Sequence, residues 1–188
     1  MTAVFAFPRR RFTVDQYERM VEAGVIRPDE RVELLDGEVV EMPPIGPPHA
    51  SRIDRCTIYL GRALGGEVGI RVQSPLRLSD LSMPEPDLTI LRWRDDFYEA
   101  AHPTVADVLL LVEVGVTSAR FDREVKLPLY AAASVVEVWL LDVGAGAISV
   151  FGDPGPQGYQ TLATAHHGDV LRPVALPGTE VAAADLLG

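Results

Sequence analysis

The segment Val108–Val114 constrains the fold of this 188-residue chain more than any other feature. It reads VLLLVEV, so large apolar side chains follow one another without the polar alternation of a half-exposed strand. Such a run predicts a central strand that is covered on both faces. Glu113 lies inside it, and a buried carboxylate is costly unless hydrogen bonds, an ion pair or a metal compensate. Glu113 is therefore either a satisfied core residue or part of a site where the strand opens onto a cleft, and Gly115 would suit close approach there.

The remaining apolar patterns predict helices and strands on both sides of this central strand. Thr13 with Gln16 forms a capping-box signature, and Asp36-Gly37 between two apolar runs predicts a hairpin. We expect helices from Thr13 to near Gly24, over His49–Leu64 and over Arg120–Ala133, strands at Val68–Gln73, Leu76–Leu78, the LTIL segment, Glu137–Asp142, Ala147–Phe151, Tyr159–Thr164 and Asp169–Arg172, a loop with a short helical turn over Asp95–Thr104, and a C-terminal turn near Ala183.

The third predicted helix carries an apolar stripe and a polar stripe. The apolar stripe of Phe121, Val125, Leu129 and Ala132 is predicted to face the core, with a bend at Pro128. The polar stripe of Asp122, Lys126 and Tyr130 follows i, i+4, i+8 spacing and should border that face. Lys126 could then reach Glu113 along the sheet, although spacing alone favours a surface pair with Asp122.

Charge and composition exclude several functional classes. The chain has 17 Lys and Arg against 27 Asp and Glu, which gives a net charge of −10. Binding of nucleic acid by bulk electrostatics is excluded, so any DNA role must use a local patch, a metal or a partner. The single cysteine excludes an intramolecular disulfide and a cysteine-based zinc cluster. No apolar run reaches membrane-spanning length, so we expect a soluble, cytoplasmic protein without a membrane partner.

Lys126 is also the only lysine, because the other 16 basic residues are arginines. A solitary lysine in such a composition suggests a role that arginine cannot fill, although chance survival is the alternative. A compact amine can lie within hydrogen-bond reach of a water, whereas a planar guanidinium is larger and never deprotonated.

Asp87 becomes informative together with Glu113. It follows Pro84-Glu85-Pro86 and opens a predicted strand, where an aspartate alone most often caps local backbone donors. Two carboxylates on adjacent strands can instead share one hard divalent cation, and magnesium accepts one or two carboxylates with waters and phosphate oxygens. A neighbouring Lys126 could orient or deprotonate a water, or stabilise developing charge.

Several motifs in this order resemble the Uma-two family of restriction endonucleases, within the PD-(D/E)xK restriction-endonuclease-like superfamily. They are PEPD, a VEV whose glutamate lies thirteen residues before Lys126, KLPLYAAA and EVWLLD. The ELLDGEVVEM hairpin, the proline-rich loop with His49 and the LPGTEV segment match the family's layout. The resemblance covers the chain from Phe12 to Leu187.

The resemblance implies a role for individual residues. Asp87, Glu113 and Val114 would hold the metal, and Asp87, Glu113, Lys126 and Glu33 would form the catalytic set. The superfamily's usual lysine position is Gly115 here, so Lys126 on the next helix would supply the amine. The third acidic position is open between Glu33, Glu41 and His49.

The fold implied by the resemblance is α/β (α+β by stricter definitions), with a mixed central sheet, flanking helices and peripheral strands, forming one domain over residues 1–188 in which residues 1–11 are a flexible arm. The activity implied is endonucleolytic hydrolysis of DNA by a magnesium- or manganese-activated water. We expect a homodimer that uses edge strands near Gln73 and Leu76. A non-catalytic, self-associating module with the nuclease fold is the alternative. The arginines considered for a phosphate-facing patch are Arg9, Arg10, Arg11, Arg92, Arg94, Arg120 and Arg123.

Overall fold

The computed structural model describes residues 9–116 and 118–188. Most of the arm predicted for residues 1–11 lies outside these residues, while Arg9 and Arg11 pair with Glu38 and Asp36. The strands are β1 Val32–Leu35, β2 Glu38–Glu41, β3 Val68–Val72, β4 Leu88–Arg92, β5 Val108–Gly115, β6 Glu137–Asp142, β7 Ala147–Gly155, β8 Gly158–Ala165, β9 Val170–Leu171 and β10 Val181–Ala182. The helices are α1 Val14–Glu22, α2 Pro47–Leu64, α3 Ala119–Phe121, α4 Leu127–Ala132 and α5 Ala183–Leu187, with a π-helical turn Asp122–Lys126 between α3 and α4 and a 3₁₀ turn Val105–Asp107.

A six-stranded mixed sheet in the order β3-β4-β5-β6-β7-β8 forms the centre of the fold. Strands β5 and β6 are parallel, and every other neighbouring pair is antiparallel. All eight residues of β5 are buried, which confirms the prediction of a strand covered on both faces. The mixed sheet with flanking helices is the fold class expected from the sequence.

Helices cover both faces of the sheet, and each face contains a different set of β5 side chains. Helix α2 contributes Cys56 and Leu60 to one core, which contains Val112 of β5. The α3–α4 segment contributes Leu127 and Tyr130 to a second core on the opposite face. Glu113 alternates with Val112 along the strand, so its side chain points to the face that the α3–α4 segment covers.

The hairpin β1–β2 is attached to the rest of the fold through Met83, which bridges to Leu34. Its turn residues Asp36 and Gly37 both have positive φ, +49° and +79°, as a two-residue hairpin turn with matching twist requires. Helix α1 begins with the predicted capping box, in which Thr13 and Gln16 satisfy each other's backbone donors. These two predictions are confirmed. Helix α1 contacts β1, the strand that carries Glu33, through the Tyr17 hydroxyl, which donates to the Val32 carbonyl.

Three local predictions are wrong. Leu76–Leu78 is not a strand, because the amides of Leu76 and Leu78 donate to the carbonyls of Pro84 and Ser82 in the following loop. The segment Asp95–Thr104 contains turns but no helical turn, and the 3₁₀ turn comes directly after it. Helix α2 begins at Pro47 rather than His49, since proline fits the first helical turn, where its missing N–H is not needed.

The structure offers only part of the sheet edge that was predicted as an interface near Gln73 and Leu76. Strand β3 is an edge of the sheet as expected, and Gln73 follows it directly. Leu76 is fully buried and cannot contribute to an exposed edge.

The face that the α3–α4 segment presents to the core differs from the predicted one. The buried residues are Asp122, Lys126, Leu127, Tyr130 and Ala131, while Val125 is exposed. The π-helical turn explains the difference, because the amide of Leu127 donates to the carbonyl of Asp122 five residues earlier. The extra residue in that turn rotates the following face away from the 3.6-residue spacing on which the prediction depended.

No helix in the described residues is long and apolar enough to cross a membrane.

Candidate active site

A cavity of about 580 Å³ opens where strands β4 and β5, the hairpin and the α3–α4 segment meet. All four residues of the predicted catalytic set line it. Further acidic residues line it as well, so that six carboxylates face two strong cations and one histidine. The full charged set is Glu33, Glu41, Glu85, Asp87, Glu113, Asp122, Arg31, Lys126 and His49.

Sheet register brings Asp87 and Glu113 together. Leu88 pairs with Val112 across β4 and β5, so extending the antiparallel ladder by one residue sets Asp87 opposite Glu113. The Asp87 amide donates to Glu113 Oε2 at 3.3 Å. The Asp87 carboxylate in turn accepts the Val114 amide at 2.8 Å through Oδ2. Residues directly opposite in a sheet point to the same face, so both carboxylates reach the same cavity.

Lys126 lies between two glutamates from different parts of the chain. Its Nζ donates to Glu33 Oε1 at 3.1 Å and to Glu113 Oε1 at 3.3 Å, and all three side chains are nearly inaccessible to solvent. The surface pair with Asp122 that spacing favoured is therefore not what Lys126 forms. Asp122 is buried beside it and accepts instead from the Ser118 hydroxyl at 2.8 Å.

The position of Gly115 explains why the amine comes from a helix. A Cβ atom at this position would lie 2.5 Å from Cβ and 2.7 Å from Cα of Ala119, far inside van der Waals contact. The space that a lysine two residues after Glu113 would need is thus filled by the start of α3. Lys126, one π turn further along, enters the site from the side that remains open.

Neutral side chains hold the two central carboxylates in place, and sequence reasoning did not assign them. The Tyr130 hydroxyl donates to Glu113 Oε1 at 2.5 Å, and the Gln73 amide nitrogen donates to Asp87 Oδ1 at 3.2 Å. The i, i+4 spacing of Lys126 and Tyr130 was the only sequence signal for Tyr130. Gln73 had none, because it meets Asp87 through the pairing of β3 with β4.

The three candidates for the third acidic position have different surroundings. Glu33 contacts Lys126, and its second oxygen, Oε2, is buried without a hydrogen-bond partner among the described residues. His49 Nε2 lies 3.0 Å from Asp87 Oδ1. Glu41 lines the cavity but is exposed. Of the two glutamates, Glu33 is thus the one that lies within the buried cluster. His49, near the N-terminus of α2, contacts the cluster through Asp87.

The electrostatics of the cluster reflect burial of like charges. The pKa of Glu113 is raised to about 8, chiefly by burial; Lys126 opposes the shift, and the neighbouring Asp87 adds to it. Burial also raises the pKa values of Glu33 and Asp122, again against Lys126. Burial alone would lower the pKa of Lys126, but Glu113 and Glu33 reverse this and raise it, so that its amine stays protonated.

The donor set fits a hard divalent cation. Within the described residues, no group of three or more His, Cys, Asp or Glu side chains is arranged as a ready-made metal cage. Magnesium does not require one, since it uses one or two carboxylates and keeps waters. The Asp87–Glu113 pair supplies such carboxylates, and Glu33 Oε2 is a further buried oxygen without a hydrogen-bond partner among the described residues. Val114 could contribute only through its main chain, because its side chain lies in the core on the α2 face.

The arginines considered for a phosphate-facing patch do not line this cavity. Arg9, Arg11, Arg94 and Arg120 pair with acidic residues elsewhere on the surface. Arg123 packs on the Phe151 ring, beside a different, smaller cavity. Arg31 is the arginine that reaches the site, where its guanidinium donates to the Pro43 carbonyl.

Comparison with known proteins identifies the family of the chain. A family described as "Uma2: Putative restriction endonuclease" matches residues 14–184. The chain belongs to this Uma-two family. No curated protein matches the chain.

A solved structure shares the fold. It is the crystal structure of a protein described as a "putative nuclease belonging to DUF820" from Anabaena variabilis, with a TM-score of 0.72 and 13% sequence identity. The alignment covers 94% of this chain and 97% of that chain. Family membership and fold together support a nuclease.

Proposed function

We propose that this Uma-two protein is a metal-dependent endonuclease that hydrolyses phosphodiester bonds of DNA, with magnesium or manganese as its cation. The observation that carries the proposal is the arrangement of Asp87, Glu113 and Lys126 at one end of two adjacent strands, on the wall of an open cavity. A purely structural cluster would not need to gather several carboxylates around one lysine, since burying such charges is costly.

In this proposal Asp87 and Glu113, with the main chain of Val114, hold the cation. When bound, the cation would supply positive charge to a phosphate oxygen and make a water a stronger nucleophile near neutral pH. Tyr130 and Gln73 fix the orientation of the two carboxylates through the hydrogen bonds described above. Fixed orientation matters because small displacements of the reacting groups strongly lower the reaction rate.

Lys126 acts in this proposal as a cation rather than as a base. Its amine is held between Glu33 and Glu113, and these carboxylates raise its pKa despite its burial. A protonated amine can orient a water and stabilise negative charge that develops on the phosphate. Glu33 then serves to hold the amine, and its free oxygen Oε2 remains available to a water or to the cation.

The test is cleavage of plasmid and oligonucleotide DNA with magnesium, manganese or a chelator present. We expect metal-dependent cleavage by the wild-type protein and loss of cleavage in Asp87→Asn. Asp185→Asn is a matched control, since Asp185 lies on α5 outside the cavity lining. Thermal melts of all proteins separate lost activity from lost folding. Cleavage that survives in Asp87→Asn, or that ignores the chelator, would refute the proposal.

A folded wild-type protein that cleaves no DNA under any of these conditions would favour the alternative of a non-catalytic, self-associating module. Strand β3 offers a sheet edge for self-association, with Val72 partly exposed on it. We propose a homodimer for the active enzyme as well, so dimerisation alone does not distinguish the two functions. Sedimentation that finds only a 20.5 kDa species at micromolar concentration would argue against the dimer.

A further inference from the structure

The cavity has an apolar part for which the proposed chemistry has no use. Met42, Pro43, Pro44 and Ile45 line it from the loop between β2 and α2, and Val116 and Phe121 line it from the segment after β5. Ile45 is 40% exposed. An apolar wall that adjoins a cluster of carboxylates indicates a ligand with both a flat apolar part and a charged part.

The loop that forms this wall is fixed before any ligand arrives. Pro43 and Pro44 lie in this loop, and Pro47 and Pro48 begin α2 directly after it. Prolines restrict their own φ angles and the residues that precede them. The Met42 amide donates to the Arg31 carbonyl at 2.8 Å, and the Arg31 guanidinium donates to the Pro43 carbonyl. A wall of this kind needs little ordering on binding, which favours affinity.

The size of the cavity argues against a continuous duplex as its ligand. About 580 Å³ lies within the ~300–1,000 Å³ range of pockets that enclose a small molecule, whereas a face that binds duplex DNA is much larger. The six carboxylates of the cavity and the net charge of −10 offer no electrostatic attraction to either form of DNA. Affinity must therefore come from contacts inside the cavity rather than from a basic surface.

We propose that this apolar wall binds one unpaired nucleobase, so that the enzyme acts on single-stranded or locally unpaired DNA in preference to duplex. Phe121 supplies an aromatic face, and a base of any identity can stack on such a ring. Ile45 and the adjoining prolines cover the rest of the base. Arg31, with five N–H donors on its guanidinium, is available to an adjacent phosphate.

This inference rests on the proposed nuclease function for its substrate, but a binding experiment tests it without turnover. A short single-stranded oligonucleotide containing 2-aminopurine and its matched duplex are titrated with protein in calcium, which replaces magnesium. We expect quenching of 2-aminopurine fluorescence on the single strand, and binding about tenfold tighter than to the duplex, since a base must unpair to stack.

Two variants locate the base. Phe121→Leu keeps an apolar side chain but removes the ring, and Ile45→Asp adds a charge to the exposed loop; each should weaken single-strand binding about tenfold and reduce the quenching. Leu162→Asp is the matched control, because it adds the same charge at a 59% exposed position of β8, away from the cavity. It should leave binding and quenching unchanged. Thermal melts establish whether each variant is folded. If Phe121→Leu does not fold, Ile45→Asp alone tests whether the loop contacts the base.

The outcomes separate this inference from the nuclease proposal. Equal or tighter binding to duplex, no binding of the single strand, or quenching that both variants leave intact overturns the base pocket. Faster cleavage of duplex than of single strands in magnesium also overturns it, while the nuclease function stands. Absence of cleavage on every substrate refutes the nuclease function, and the fluorescence titration still decides whether a base is bound.

Discussion

Two glutamates on adjacent parallel strands, Glu113 on β5 and Glu137 on β6, are each only 2% exposed, yet their surroundings differ. Glu137 accepts the Trp139 indole N–H and the Val174 amide, both at 2.6 Å and one on each oxygen. Glu113 contacts the Lys126 ammonium and the Tyr130 hydroxyl, and it shares a cavity with other carboxylates. Burial is the same, but only one of the two carboxylates adjoins uncompensated charge and open space.

The comparison shows what separates a structural carboxylate from a candidate functional one. Neutral donors that saturate both oxygens of Glu137 make it a fixed link between the sheet and the segment that contains Val174. Burial raises the pKa of Glu113, Lys126 opposes the shift, and the neighbouring carboxylates of Asp87 and Asp122 add to it. A buried acid in a strand therefore indicates a site only when its neighbours are acids as well.

The largest expected effect is on cleavage by Glu113→Gln. The amide keeps the shape of the side chain but loses the charge that would hold the cation. We expect cleavage to fall about a thousandfold, because a metal contributes several kcal/mol of charge stabilisation. Initial rates on plasmid DNA measure this. Glu137→Gln should cleave at the wild-type rate. Equal losses of cleavage rate in Glu113→Gln and Glu137→Gln would show that the two glutamates do not differ in function.

The next largest effect is on stability and comes from Lys126→Met, which removes the buried ammonium group of the lysine. Two buried glutamates then lose their common partner, and we expect the free energy of unfolding to fall by about 3–5 kcal/mol. Urea denaturation measures the change. An unaltered midpoint would mean that Glu33 and Glu113 do not depend on Lys126 for their charge balance.

Lys126→Arg sharpens the same point. From the sequence alone, this change is expected to remove most of the hydrolytic activity and to alter stability little, because a polar stripe at Asp122, Lys126 and Tyr130 would only border the core. Since Lys126 is buried, the larger guanidinium should now cost about 1–3 kcal/mol of stability as well as most of the cleavage. Cleavage equal to wild type would show that Lys126 supplies only positive charge.

The smallest expected effect is the structural counterpart, Glu137→Gln. The Val174 amide or the Trp139 indole would then meet an NH₂ group at one of the two oxygen positions. We expect a loss of about 1–3 kcal/mol in the free energy of unfolding, the cost of one unsatisfied buried group. Urea denaturation measures the loss of stability, and cleavage assays check that the rate is unchanged. Loss of cleavage without loss of stability would contradict a structural role for Glu137.

Local patterns predicted the parts of the fold that depend on neighbouring residues. The apolar run of β5, the Asp36-Gly37 turn and the Thr13 cap each have a short-range physical cause, and each is present in the structure. The resemblance to the Uma-two family named Asp87, Glu113, Lys126 and Glu33, and all four line one cavity. Their catalytic and metal-binding roles stay predictions.

The errors arose where non-local geometry decides. The π-helical turn shifted the buried face of the α3–α4 segment, which spacing at 3.6 residues could not anticipate. Gln73 meets Asp87 through strand pairing and carries no motif of its own. Four of the seven arginines expected around a phosphate, Arg9, Arg11, Arg94 and Arg120, pair with nearby acids instead.

A cation site at the end of β4 and β5 is tested by calorimetric titration of manganese into four metal-free proteins: wild type, Asp87→Asn, Glu113→Gln and Glu137→Gln. We expect specific binding to wild type and Glu137→Gln, and its loss in Asp87→Asn and Glu113→Gln, with all four proteins folded by thermal melting. Binding that persists in Glu113→Gln, or its absence from the folded wild-type protein, would contradict a cation site at the end of β4 and β5.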